Sequence, residues 1–540
     1  MKKIHVLLLL VVLTGTAVAQ SAPATSESLR GWHLKAQQDG YFGIELEAAY
    51  RFLTERKIKS EPVIVAVLDS GIDTLHEDLK SVLWTNPGEI PGNGKDDDGN
   101  GYIDDVHGWN FLGNPDGRNV NSTSSEWIRV YWRYKARFEG KTIDTATLSP
   151  LEKYSYAQWQ KARGGVVGQG MKPEQLKNLR QLLESVTICD SLLKLKFGTQ
   201  QYTLKQVRNM TTANKMQEDV RQFFTEIFKN NSDENSTNKQ LLANVTEYVV
   251  GEERRANGDK VPPEDNRTAI TGDDEKTSTN RFYGNNDIQA ANADHGTHVS
   301  GIIAAVRNNG LGMDGVANNV RILFVRTNPE GDEHDKDIAM GIRYAVENGA
   351  KVINMSFGKS LSPDKALIDE AVRYAISKDV LLVQGAGNSH LNVDGYHKYP
   401  NPRFLFSDSL APNWITVGAS DAKGQAADFS NYGKEVVDVF APGVAMYAPF
   451  PGINQYKSWE GTSMAAPVVT GTAALLRSYF PQLKAAEIKQ IINQSVTKPT
   501  FQMNKPGTKE SVSMSELCKS GGIVNALGAV KLAASRVKSE

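Results

Sequence analysis

Short, predominantly apolar runs recur along this chain, at residues 63–68, 320–325, 352–355, 380–383, 414–417 and 436–440. A run with little polar alternation predicts a strand buried on both faces, as in a parallel sheet covered by helices. Helical patterns separate several of these runs. Residues 335–347 read as a helix that ends before Gly349, and residues 364–377 as a helix that follows Pro363. Strands alternating with helices predict an α/β domain on a mostly parallel sheet.

One segment breaks that alternation. Residues 121–261 contain no strand-like run and several helical ones. Ser149-Pro150-Leu151-Glu152 is a capping box with proline at the first helical position. Trp127, Tyr131, Tyr134 and Phe138 repeat at helical spacing, as do Leu176, Leu179, Leu183 and Val186, and Met216, Val220, Phe223 and Ile227. Such stripes predict helices that bury one face. The segment is therefore expected to be an all-α insertion, followed by a polar return loop at residues 257–286. The expected organisation is a catalytic domain in two parts, 20–120 and 262–540, interrupted by the insertion at 121–261.

Composition narrows the class. The 540 residues are 40% hydrophobic and 23% charged, enough for a sizeable core and unlike a disordered chain. Lys+Arg (61) and Asp+Glu (62) cancel to −1, which argues against a nucleic-acid surface. The two cysteines, Cys189 and Cys518, exclude a disulfide-rich scaffold and a cysteine-clustered metal site; they either pair or remain as thiols. Lys2 and Lys3, an apolar run at 6–13 and Ala17-Val18-Ala19 before Gln20 read as a secretory signal peptide at residues 1–19. No later stretch is long enough to span a bilayer. The expected location is outside the cytoplasm, either secreted or periplasmic.

Four segments carry candidate chemistry. Asp69 ends the run at 63–68, and the carboxyl ends of parallel strands are where active sites form, although a loop-start Asp is also an ordinary turn residue. Asp294-His295-Gly296-Thr297-His298 opens a helix whose buried face is Val299, Ile302, Ile303 and Val306. His295 and His298 share the spacing of a metal pair, but the glutamate of a zinc-protease helix is missing. Glu460-Gly461-Thr462-Ser463-Met464-Ala465-Ala466-Pro467 places a serine at the start of a tightly packed helix, as an N-cap or as a nucleophile with free N–H groups beside it. Asn388, in the Gly-rich turn after residues 380–383, has an amide that can donate to an oxyanion.

Together these segments resemble the subtilisin-like serine proteases, the subtilases, in the chain order Asp69, His295, Ser463. The resemblance covers roughly residues 39–111 and 280–537. It implies a three-layer α/β fold and an exported serine endopeptidase that acts on protein or peptide substrates through an acyl-enzyme. Ser463 would be the nucleophile, His295 its base, Asp69 the orienter and Asn388 an oxyanion donor. Ser356, Phe357 and Gly358 look like the strand that pairs with an extended substrate, and Tyr399-Pro400 places Lys398 at or near the base of the first substrate pocket. That base would favour an acidic residue if the ammonium points in, and a large apolar one if it does not. Asp69 and His295 lie 226 residues apart, far more than in compact subtilases. The insertion responsible is a lid, a substrate wall, a docking surface or structural decoration. The rival readings are an idle pseudo-protease that binds peptides and a metal-dependent hydrolase using Asp69 and His295.

Residues 96–105 match an EF-like calcium loop, with Asp96, Asp98 and Asn100 as side-chain ligands and Tyr102 through its carbonyl. His107 stands where an EF-hand has its bidentate Glu, so Asp104 or Asp105 is expected to close the site. A solvated acidic turn is the alternative. Structural Ca²⁺ is thus the one cofactor expected, with no catalytic cofactor.

Overall fold

The apolar runs converge on one sheet in the computed structural model, which describes residues 29–537 except 230–233, 235, 278, 290–291, 396–397 and 408. Residues 1–19, read above as a signal peptide, lie outside the described residues. Helix α1 (Leu46–Glu55) precedes β1 (Val63–Asp69) and β2 (Gly108–Asn110). Eight helices then intervene: α2 (Glu126–Phe138), α3 (Pro150–Val166), α4 (Pro173–Phe197), α5 (Leu204–Arg208), α6 (Lys215–Ile227), α7 (Asn238–Asn257), α8 (Asn266–Thr271) and α9 (Asp294–Ala304). The alternation resumes with β3 (Val320–Arg326), α10 (Asp335–Glu347), β4 (Val352–Met355), α11 (Lys365–Ser377), β5 (Leu381–Gly385), β6 (Trp414–Ser420) and β7 (Val439–Pro442). A hairpin of β8 (Met446–Pro449) and β9 (Tyr456–Trp459) leads into α12 (Thr462–Tyr479) and α13 (Ala485–Gln494). The chain closes with β10 (Met503–Asn504), β11 (Ser511–Val512), α14 (Met514–Leu517) and α15 (Ala526–Val537).

The seven strands lie in the order β2-β3-β1-β4-β5-β6-β7, and every pair is parallel. Alternate residues of β1 face opposite layers. Val63, Val65 and Val67 pack in one core with α9, α12 and α15, and Ala66 and Leu68 pack in the other with α10 and α11. The fold is the expected three-layer α/β arrangement. The topology reverses at β1, whose neighbours β3 and β4 lead to opposite edges; ligands bind at the carboxyl ends beside such a point.

Several local expectations shift. β2 is a strand that Gly-Trp-Asn did not advertise. The run at 436–440 enters the ladder only at Val439, because Asp438 turns its carboxylate onto Thr416 N–H and Lys489. On α6 the expected Val220, Phe223 and Ile227 pack against the apolar cluster, but the most buried residues are Phe224 and, just beyond the helix, Phe228, and Met216 is exposed. The polar stretch at 257–286 is not simply a solvated loop. It contains α8 and a buried charge network in which Arg267 pairs with Asp273 and Asp337 at 2.8 and 2.6 Å, and Lys336 pairs with Asp273 at 2.6 Å. Buried charges persist only when paired in this way. The cysteines are free thiols, with Cys518 buried.

Candidate active site

β1 delivers Asp69 to the sheet's carboxyl edge, where it is 1% exposed. Its Oδ1 accepts the Ser70 N–H at 2.7 Å. Arg326, at the end of β3, donates Nε–H to Ser70 O and braces the same turn. The first turn of α9 supplies His295, whose Nδ1 donates to both Asp69 oxygens at 2.8 and 2.9 Å. Gly296 makes this approach possible, since a Cβ there would lie 2.2 Å from Gly71 O. Burial lowers the His295 pKa, but the charge and hydrogen bond of Asp69, with Glu333 beyond it, more than offset this and hold it above the ordinary value. With Nδ1 committed to Asp69, Nε2 is the proton acceptor.

Ser463 is the second residue of α12, after Gly461, whose φ of 151° is open mainly to glycine. Its backbone N–H belongs to the free donors of a helix start. Ser463 Oγ donates to Ser356 O at 2.9 Å, and Ser356 Oγ donates back to Ser463 O at 2.9 Å. Asn388 Oδ1 accepts the Thr462 N–H and hydroxyl at 2.9 and 2.8 Å, which fixes the amide's orientation. A Cβ added to Gly461 would lie 3.2 Å from Asn388 Nδ2 and 3.6 Å from Ser463 N. Two donors thus border one small space at the helix start.

The structure therefore brings Asp69, His295, Ser463 and Asn388 to the same edge. Ser356, Phe357 and Gly358 continue from β4, and Gln384 Nε2 donates to Phe357 O at 3.4 Å. The Lys398 stem lies against Gly358 and its ammonium beside Gly387; Cβ atoms there would be 3.1 Å from Cε and 2.9 Å from Nζ. His298 takes a different role from His295. It is fully buried, its Nε2 donates to Lys457 O, and burial lowers its pKa to about 4. A neutral imidazole committed to a carbonyl and lying near Trp459 is a packing residue.

Sequence reasoning passed over three residues here. Thr462 links Asn388 to Gly387, whose N–H it accepts at 2.9 Å; it sits inside the serine motif and was legible there. Trp459, on β9, faces both His295 and His298. Glu333 is a buried carboxyl whose Oε2 has no hydrogen-bond partner and whose pKa burial raises to about 7. It lies in a polar connection with no periodicity to mark it.

The acidic loop is organised differently from its sequence pattern. One carboxylate oxygen each of Glu89, Asp96 and Asp98 lie within 4.8 Å of one another. Glu89 was not among the expected ligands; its Oε1 accepts Asp97 N–H, and its buried Oε2 has no partner. Asp104 does not close this cluster, because its carboxylate accepts the N–H groups of Gly92, Asn93 and Gly94. Asp105 is held by Asn86, Asn100 and Tyr344, and burial raises its pKa to about 6. Asn100 Oδ1 accepts Tyr102 N–H, and the Tyr102 ring packs among Trp109, Phe111 and Tyr344. Three converging carboxylates with a buried orphan oxygen fit a hard cation held by Glu89, Asp96 and Asp98.

The model of the subtilase family matches residues 60–514. A thermophilic serine proteinase of Bacillus sp. (strain AK1) is 42% identical over 205 residues, 38% of this chain and 47% of that protein. Subtilisin DY of Bacillus licheniformis is 38% identical over 209 residues, 38% of this chain and 70% of that protein. The chain thus spans about half the length of the first relative and somewhat over two thirds of the second. A solved protease of Pseudoalteromonas arctica PAMC 21717 is 21% identical with a TM-score of 0.45, over 93% of this chain and 96% of that one.

Proposed function

The chain belongs to the subtilase family, and from that premise we propose that it is an exported serine endopeptidase using Asp69, His295, Ser463 and Asn388. The observation that carries the reading is the doubly bonded Asp69–His295 pair at the sheet edge that also holds Ser463 and Asn388.

In this mechanism Ser463 Oγ leaves Ser356 O and turns to His295 Nε2, which takes its proton as Oγ attacks the scissile carbonyl. Asp69 stabilises the imidazolium that results. The carbonyl oxygen becomes an oxyanion and accepts from Asn388 Nδ2 and Ser463 N–H. His295 then gives its proton to the departing amine, leaving an acyl-Ser463 ester. Water, deprotonated by His295, hydrolyses the ester and restores the hydroxyl. Ser356, Phe357 and Gly358 pair with the substrate on the acyl side. Calcium bound at Glu89, Asp96 and Asp98 would offset two of their three negative charges and pin the loop that leads into β2. Residues 1–19 direct export, and residues 121–261 are an insertion in a two-part catalytic domain.

A fluorophosphonate probe tests the assignment. It is expected to label Ser463, and Ser463→Ala is expected to lose both the label and peptide cleavage, by a factor on the order of 10⁶. A folded Ser463→Ala variant that keeps most of its activity would refute the reading, and a folded, unlabelled native chain would favour an idle binder.

A further inference from the structure

The sheet order places β1, with Asp69 at its end, between β3 and β4. The segments leaving the carboxyl ends of β3 and β4 therefore rise on either side of the catalytic edge. The second of them carries Ser356, which accepts the Ser463 hydroxyl, so a peptide reaching Ser463 runs between these two walls.

The α2–α3 hairpin grips both walls. On the first, Glu126 N–H donates to Asp332 Oδ2 at 2.7 Å, and Arg129 Nη2 donates to Asp332 O and Glu333 O at 2.9 and 3.0 Å. On the second, Tyr154 OH donates to Ser362 O at 2.8 Å, Lys161 Nζ donates to Ser360 O at 2.9 Å, and Gln158 Oε1 accepts Ser362 N–H at 3.0 Å. Leu361, 0% exposed, is inserted into the hairpin's own apolar cluster. Lys359 joins the two sides. Its ammonium, wholly buried, donates to Glu333 O at 2.6 Å and pairs with Asp335 at 2.9 Å and with Glu126 at 3.3 Å. These ties end largely on backbone groups of the walls, so they fix where the wall backbones stand. An extended peptide recognised by its main chain is sensitive to that spacing.

We infer that the α2–α3 hairpin is a positioning element for the peptide cleft, setting the separation of the 330–333 and 356–362 walls through Glu126 and Arg129 on one side and Tyr154, Gln158 and Lys161 on the other. This deepens the protease reading and rests on it. The hairpin residues touch neither the triad nor the oxyanion donors; they act through the walls.

Two substrates separate positioning from general stability: a peptide anilide with four residues before the scissile bond, and a single-residue ester. In the Tyr154→Phe/Lys161→Met double variant, KM for the long substrate is expected to rise about tenfold with kcat unchanged, because ground-state and transition-state contacts are lost together. The ester is expected to be turned over as before, and Lys161→Arg alone, which keeps the donor, to retain the native KM. If the double variant does not fold, Arg129→Lys, which keeps the charge but loses the guanidinium that reaches both Asp332 O and Glu333 O, is expected to give the same split. Equal losses on both substrates, or no change on either in a folded variant, would overturn the proposal. Fluorophosphonate labelling runs alongside: native-rate labelling with a raised KM supports positioning, whereas a native chain that takes no label overturns the protease reading and this inference with it.

Discussion

The catalytic edge and the helical insertion meet at the same face but are held by different forces. Asp69, His295 and Ser463 are mounted on β1, α9 and α12, whose inward residues, such as Val65, Val67, Ile302 and Val468, are 0% exposed. Among the described residues the insertion's apolar clusters are small, one around Val130 and Trp159 that takes in Leu361 of the main domain and another around Val186 and Phe224, and it also meets the main domain through charged and polar ties. Close-packed apolar layers resist sub-ångström displacement, as a nucleophile and its base require. A buried ion pair gains in attraction roughly what it costs in desolvation, so pairs such as Lys359–Glu126 contribute placement more than stability. The triad is thus set by packing and the cleft walls by polar registration, and a substitution on one side is expected to spare the other's function.

The sharpest way to break that division is at Asn388. Asn388→Ala is expected to lower kcat by about 10²–10³ with little change in KM, since its Nδ2 acts on charge that develops only in the transition state. A pure KM effect would move Asn388 out of the oxyanion hole and into the walls. Next in size is Lys398, whose stem and ammonium lie against Gly358 and Gly387 on the wall side. Lys398→Ala is expected to lower the ratio of kcat/KM for Glu over Leu before the scissile bond about tenfold, because an ammonium at that point favours a carboxylate. An unchanged ratio, measured with otherwise identical peptides, would remove Lys398 from the pocket.

How much of this was legible beforehand follows the same division. Residues 335–347 were read as a helix because their apolar positions recur at 3.6 spacing, and β1 because an unbroken apolar run suits a sheet covered on both faces. The segments bearing the triad and Asn388 could be read because their local surroundings carry their requirements: Gly296 for close approach, Gly461 for its dihedral, small residues around Ser463. What could not be read depends on partners distant in sequence. Arg267 looked like a loop residue until Asp337 was placed beside it, and Glu333 had no local signature. In the acidic loop the spacing gave Asp96 and Asp98 but not Glu89, which arrives from the other side of a turn.

That loop offers a smaller and cleaner test. Calcium is expected to raise the melting temperature by a few degrees, since a ligand bound only to the folded state stabilises it by mass action. Asp98→Ala and Glu89→Gln are each expected to abolish the rise. Asp104→Ala is expected to lower the starting melting temperature, because three loop N–H groups lose their acceptor, yet to keep the calcium-dependent increment. Melting curves in calcium and in chelator decide between the two carboxylate sets. An increment that survives Glu89→Gln but vanishes in Asp104→Ala would restore the ligand set read from the sequence.

The smallest expected effect lies where the two regions touch electrostatically. Glu333 stands in the first wall, yet its carboxyl helps hold the His295 pKa above the ordinary value, after the larger effects of burial, which lowers it, and Asp69, which raises it. His295 must be neutral to take the Ser463 proton, so kcat/KM is expected to fall as pH drops through that raised value, with the acid limb above pH ~6.5. Glu333 itself has its pKa raised by burial to about 7, so its negative charge is present chiefly above neutrality. Glu333→Gln removes the charge while its amide oxygen can still accept from Asn328 Nδ2, which donates to Oε1 at 3.2 Å. The imidazolium then loses one stabilising neighbour, and the acid limb is expected to move to lower pH. Profiles of kcat/KM against pH for the two proteins on the single-residue ester isolate this effect from wall spacing. An unmoved limb would leave Asp69 as the carboxylate that tunes the base, and would confine Glu333 to the wall.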